Sequence, residues 1–142
     1  MTTTPSGQSI VVGVDGSAHS AKALAWAIDE AKVRGAALHV IHSFVVPRTV
    51  VDTMDHGLYP EMAADAQKEL DSLMENGPST EGVDVHAEIA AGHAAKVLVA
   101  ASSDATLLVV GNRGHGGFEE LMLGSTAAQC VHHAHCPVVV VR

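Results

Sequence analysis

At 142 residues, 47% of them hydrophobic, the chain can fold as one domain around an apolar core and is too apolar for a disordered segment. Eight Lys and Arg against 16 Asp and Glu give a formal net charge of −8 without the cationic cluster that a phosphate backbone requires, so no nucleic-acid partner is expected. No run approaches the roughly 18 consecutive apolar residues of a membrane helix, and residues 1–8 show no charged region followed by an apolar one. Neither membrane contact nor export is expected, and the expected location is the cytoplasm.

Apolar runs and helical patterns alternate from there on. Ile10–Val14 is a short β-branched run of the kind buried on both faces of a parallel sheet. Asp15-Gly16-Ser17 interrupts it, and a helix follows with Leu24, Ala27, Ile28 and Ala31 on one face and Gly35 as its stop. Ser17 reads as the cap of that helix. Trp26 and Val33 lie off its main apolar face and are expected to cover a satellite packing site. Leu38–Phe44 reads as the second strand. Residues 45–60, with Pro47, Gly57 and Pro60 and no period, read as a long connection and a candidate lid.

A second helix is expected over Glu61–Asn76, with Ala63, Ala66, Leu70 and Leu73 inward and Asp65, Glu69, Asp71 and Glu75 on a solvated face. Val83–Ile89 alternates as a half-exposed edge strand does. Gly92 is expected to open a short helix through Ala101. Thr106–Val110 is another buried run. Ser125–His133 reads as the last helix and Pro137–Val141 as the last strand. Five strands separated by four helices predict an α/β fold: a doubly wound, five-stranded parallel sheet of Rossmann-like type, order 3-2-1-4-5, with helices on both faces. Such sheets bind ligands at the carboxyl ends of their strands, where the strand order reverses. That places the interest after strands one and four.

After strand four the glycines fall in the pattern G-x2-G-x9-G-S: Gly111, Gly114, then Gly124-Ser125 at the start of the last helix. Glycine lets the backbone turn tightly and approach a ligand. The free amides and positive dipole end of a helix suit a phosphate, and Ser125 and Thr126 add hydroxyl donors. Arg113 is the only Lys or Arg between Val97 and Val141, so amides must do most of the anion binding, with a divalent cation such as Mg2+ as a candidate helper.

This pattern, with Val12-Gly-Val-Asp-Gly-Ser17 after strand one and Cys136-Pro-Val-Val-Val-Val141 at the end, resembles the ATP-binding universal stress proteins over Ile10–Arg142. The resemblance implies a nucleotide-binding domain over 9–142, behind a disordered tail at 1–8. It implies that Asp15 lies near the adenosine or its ribose, that Gly13 and Val14 line an adenine pocket, and that Ser43 contacts adenine through its backbone. Gly111, Asn112, Arg113 and Gly114 would bound the ribose and phosphates, and Gly124, Ser125 and Thr126 would hold the phosphate chain. The expected ligand is ATP, with AMP or a cyclic nucleotide as alternatives, and the expected role is regulatory with little or no turnover. A homodimer through strand 137–141 is expected, because that strand lacks the polar protection of strand three.

Other readings compete. A slow ATPase or phosphotransferase would need a catalytic pair, and neither a G-x4-G-K-[S/T] loop nor a lysine near the glycines is present. A nucleotide-independent interaction module would not need the glycine pattern. A receiver domain is discarded, since Ile89-Ala-Ala-Gly92 offers no phosphoacceptor aspartate. The histidines and cysteines of Cys130–Cys136 invite a zinc reading, but Cys130 falls inside a helix and Cys136 opens a strand, where inert thiols are common. No metal ligand is assigned, and His132 and His133 are expected to cap the helix carbonyls.

Overall fold

The computed structural model describes residues 7–47, 58–113 and 122–142. Of the tail expected at 1–8, residues 1–6 lie outside that range, as do residues 48–57 of the connection expected at 45–60.

The strands are β1 (Ser9–Gly13), β2 (Ala37–Phe44), β3 (Val85–Ala91), β4 (Leu107–Gly111) and β5 (Val138–Val141). The helices are α1 (Ala18–Arg34), α2 (Leu58–Glu75), α3 (Ala94–Ala101) and α4 (Ser125–His133), with a 3-10 turn at Ser102–Asp104. All pairings are parallel and the order is β3-β2-β1-β4-β5. The chain is an α/β, doubly wound, Rossmann-like domain.

Strand alternation divides the core in two. Ile10, Val12, Leu38, Val40, Leu107 and Val109 face α1 and α2, where Ala23, Leu24, Ala27, Ile28 and Leu70 complete the cluster. Val11, Ile41, Leu108 and Val110 face α3 and α4, against Leu98, Ala127 and Cys130. Burying one such Leu or Ile side chain contributes about 1.5–3 kcal/mol, so both faces hold their helices firmly. α1 begins at the Ser17 cap and ends on Gly35, whose φ of 63° is left-handed.

Four local expectations shift. α2 starts at Leu58 and so includes Pro60, because proline's missing N–H is not needed in a helix's first turn. β3 starts two residues late: the Val83 N–H turns back to the Thr80 carbonyl, and ladder bonding begins where Leu38 N–H meets the Asp84 carbonyl. α3 begins after His93, not at Gly92, whose φ is 132°. Trp26 packs on the main core cluster while Val33 is 82% exposed, so the two share no satellite site.

Candidate functional site

The sheet order reverses between β1 and β4, and the carboxyl ends of these strands open into a cavity of about 300 Å³. One wall is the β1–α1 junction. Val14 N–H continues the ladder to the Ile41 carbonyl at 3.0 Å. Asp15 then folds onto the start of α1: its Oδ1 accepts from Ser17 N–H at 2.8 Å, and its own N–H donates to Ser20 Oγ at 3.2 Å. Ser17 Oγ accepts from Ser20 N–H at 3.1 Å, and Ser20 Oγ donates to the Ser17 carbonyl at 3.1 Å.

The opposite wall is the β4–α4 junction. Asn112 is buried, with its N–H donated to the Val141 carbonyl at 2.7 Å and its carbonyl accepting from Gly124 N–H at 2.8 Å. Its backbone thus ties the end of β5 to the start of α4. Arg113 Nη1 donates to the Met122 carbonyl at 3.3 Å. A Cβ at Gly124 would lie 2.9 Å from the Asn112 oxygen and 3.2 Å from Arg113 Cα, so this closure requires glycine. Gly124 enters α4 with extended backbone and, as a glycine, brings no side-chain cap. The first amides of α4 have no intrahelical partner, and Ser125 and Thr126, at this start, line the cavity.

Gly13, Val14, Asp15, Ser43, Gly111, Asn112, Arg113, Gly124, Ser125 and Thr126 all line this cavity. Gly114 lies outside the described residues. The remaining lining includes Ile41, Ala94, Leu98 and Val110, an apolar surface fit for a flat ring, and Ser20. Among the described residues the arrangement offers an apolar slot, one carboxylate at Asp15, one cation at Arg113 and a helix N-terminus. It can hold an amphiphilic anion.

Leu98, Ser20 and His42 were not singled out by sequence reasoning. His42 is 6% exposed, with Nδ1 2.9 Å from the Val14 carbonyl and Nε2 2.9 Å from Glu69 Oε2. Its signal was a polar residue at a core-facing position of β2, in step with Leu38 and Val40. Glu69 is exposed as expected, yet its carboxylate has this specific partner.

At the far end of α4, burial pushes the Cys130 thiol up to about 11. Burial also raises Cys136, against a smaller lowering by a backbone hydrogen bond from Leu108. Among the described residues no three His, Cys, Asp or Glu side chains gather to hold a metal ion. The Ala134 N–H closes the last turn of α4 on the Cys130 carbonyl at 2.9 Å, and the His132 and His133 rings lie 6.3 Å apart between centroids. Among the described residues no helix is long and apolar enough to cross a membrane.

This fold, with a polar and apolar cavity at its switch point, defines a small, doubly wound α/β domain. Residues 7–142 match the model of the universal stress protein family, and the chain belongs to that family. A universal stress protein of Mycobacterium tuberculosis is 35% identical over 97% of this chain and 49% of its own length. The chain spans about half the length of the curated relatives it matches. Among solved structures, the universal stress protein UspA of Lactobacillus plantarum superposes with a TM-score of 0.76 at 22% identity, covering 95% of this chain and 97% of that one. The universal stress protein of Archaeoglobus fulgidus in complex with dAMP superposes with a TM-score of 0.60 at 24% identity, covering 100% of both chains.

Proposed function

We propose that the chain binds an adenine nucleotide, ATP or a related form such as AMP or a cyclic nucleotide, and acts as a regulatory module with little or no turnover. The observation that carries this reading is the uncapped start of α4 opening into a cavity whose other surface is apolar. Phosphates would meet the amides of Ser125 and Thr126 and the positive helix end, which supply attraction that the net charge of −8 does not. Adenine would lie against Val14, Ile41 and Leu98, with Ser43 at its edge and Asp15 toward the ribose. The dAMP complex of the Archaeoglobus fulgidus protein supports an adenine ligand. Asp15 is the one carboxylate among the described lining residues, so Mg2+ would be held mostly by phosphate oxygens. With no lysine among those residues to stabilise a transferring phosphoryl group, hydrolysis would stay far below the ordinary enzyme median of about 10 per second.

Calorimetry with Mg-ATP and with AMP tests the reading. The parent should bind and Gly124→Val should not, because the new side chain meets the Asn112 backbone. No heat of binding to the parent would refute it.

We further propose a homodimer, in the cytoplasm and without nucleic acid. β5 is an edge strand whose four valines are each only half-buried, and pairing with a second β5 about a two-fold axis would satisfy its backbone and cover them. Light scattering at micromolar concentration should give twice the chain mass, and Val140→Lys should give monomer or insoluble protein.

A further inference from the structure

The Val14–Asp15 peptide is held at both of its polar ends. Its oxygen lies 2.9 Å from His42 Nδ1, and its N–H donates to Ser20 Oγ at 3.2 Å. A carbonyl oxygen only accepts, so Nδ1 carries a proton. Nε2 lies 2.9 Å from Glu69 Oε2, and a hydrogen bond there requires one further proton, whichever atom owns it. His42 interrupts a core-facing row that otherwise holds Leu38 and Val40. A buried polar ring in such a row is costly unless its nitrogens are bonded. Both are bonded here, one to the cavity wall and the other to α2.

We propose that His42, steadied by Glu69, is a positioning residue: it fixes the plane of the Val14–Asp15 peptide and so aims the Asp15 carboxylate at the ribose of a bound nucleotide. The inference rests on the nucleotide reading above. Ser17 and Ser20 hold Asp15 from within the junction, where Ser20 Oγ also bonds the Ser17 carbonyl. Those groups belong to the start of α1 and move with it. His42 stands on the neighbouring strand and ties the peptide to the sheet. Loss of that tie lets the peptide rotate, which displaces the carboxylate while leaving the apolar slot and the α4 amides in place. The effect therefore falls on recognition of the ribose hydroxyls, with base and phosphate contacts kept.

The test measures calorimetric affinities for AMP and for 2′,3′-dideoxy-AMP, which lacks both ribose hydroxyls. The variants are Asp15→Ala, His42→Leu, Glu69→Ala, Glu69→Gln and the double variant Asp15→Ala with Glu69→Ala. Glu69 is 66% exposed, so its variants keep the fold even if His42→Leu does not. Glu69→Ala should lower the preference for AMP by about three- to tenfold, the worth of one hydrogen bond, and leave the dideoxy affinity unchanged. Glu69→Gln should retain the preference, because its amide can donate to Nε2. In the Asp15→Ala background, Glu69→Ala should have no further effect on AMP. A merely structural role would lower both affinities equally and add to the Asp15→Ala loss, and either result overturns the proposal. A parent that binds neither nucleotide marks a different failure, that of the nucleotide reading itself.

Discussion

Two helices begin at the mouth of one cavity, and their first turns are built in opposite ways. α1 supplies its own caps: the Asp15 carboxylate takes the Ser17 N–H and the Ser17 hydroxyl takes the Ser20 N–H. α4 is entered through Gly124, which has no side chain to offer as a cap. Every helix leaves its first amides without intrahelical partners. At α1 the protein fills part of that need from the Ser17 side chain; at α4 the N-cap is a glycine and has no side chain to do so. The same device, a helix start at a strand end, is thus a self-capped joint on one side and, under the proposed function, the phosphate receptor on the other.

The strongest way to break the comparison is at the point where the two junctions touch. A Cβ at Gly111 would lie 2.8–3.0 Å from the backbone and Cβ of His19, in the first turn of α1. Backbone cannot yield as a side chain can, so Gly111→Ala should cost about 1–3 kcal/mol in urea unfolding and also weaken nucleotide binding. Ser17→Ala separates the two roles. It should cost about 1 kcal/mol of stability while changing nucleotide affinity little, since that cap faces its own helix. Ser125→Asp should do the reverse. A carboxylate in the first turn of α4 complements the helix dipole and stabilises by about 0.3–1 kcal/mol, yet it repels phosphate. Thermal unfolding should therefore rise slightly while ATP affinity measured by calorimetry falls. A rise in both would show that the α4 amides are not the phosphate receptor.

The joints differ too in how far they could be read from sequence. The apolar runs of β1 and β4 announce strands buried on both sides, and the intervening apolar periods announce helices, so the five-stranded sheet was legible, and its order came with the fold class. Ser17 was legible as a cap because capping is local. Ends were less so where local signals mislead: Pro60 looks like a loop residue but sits in a helix's first turn, and the alternation at Val83–Ile89 runs ahead of the pairing that starts near Asp84. His42 and Ser20 escaped for another reason. The bond of His42 to Val14 spans 28 residues and that to Glu69 spans 27, and no periodicity encodes such meetings. Ser20 was hidden by an ordinary position in the first turn of a helix.

The smallest effect at neutral pH concerns what anchors each helix to the sheet. α1 is held by Ala23, Leu24, Ala27, Ile28 and Ala31, none of which titrates. α4 is held by Ala127 and by Cys130, a fully buried thiol that burial pushes from 9.0 up to about 11. In the unfolded chain that thiol releases its proton from about pH 9, while the folded chain keeps it until about 11. Over that window the unfolded state binds fewer protons, so stability falls as pH rises, by at most about 1.4 kcal/mol per unit, and below pH 9 this group contributes no slope. Other groups also titrate in alkali, so the informative quantity is a difference. Urea midpoints between pH 8 and 11 should fall more steeply for the parent than for Cys130→Ala, which starts from lower stability but has no thiol to titrate. Parallel curves would mean that the α4 anchor does not sense alkali, and that the two helices are held to the sheet in the same way.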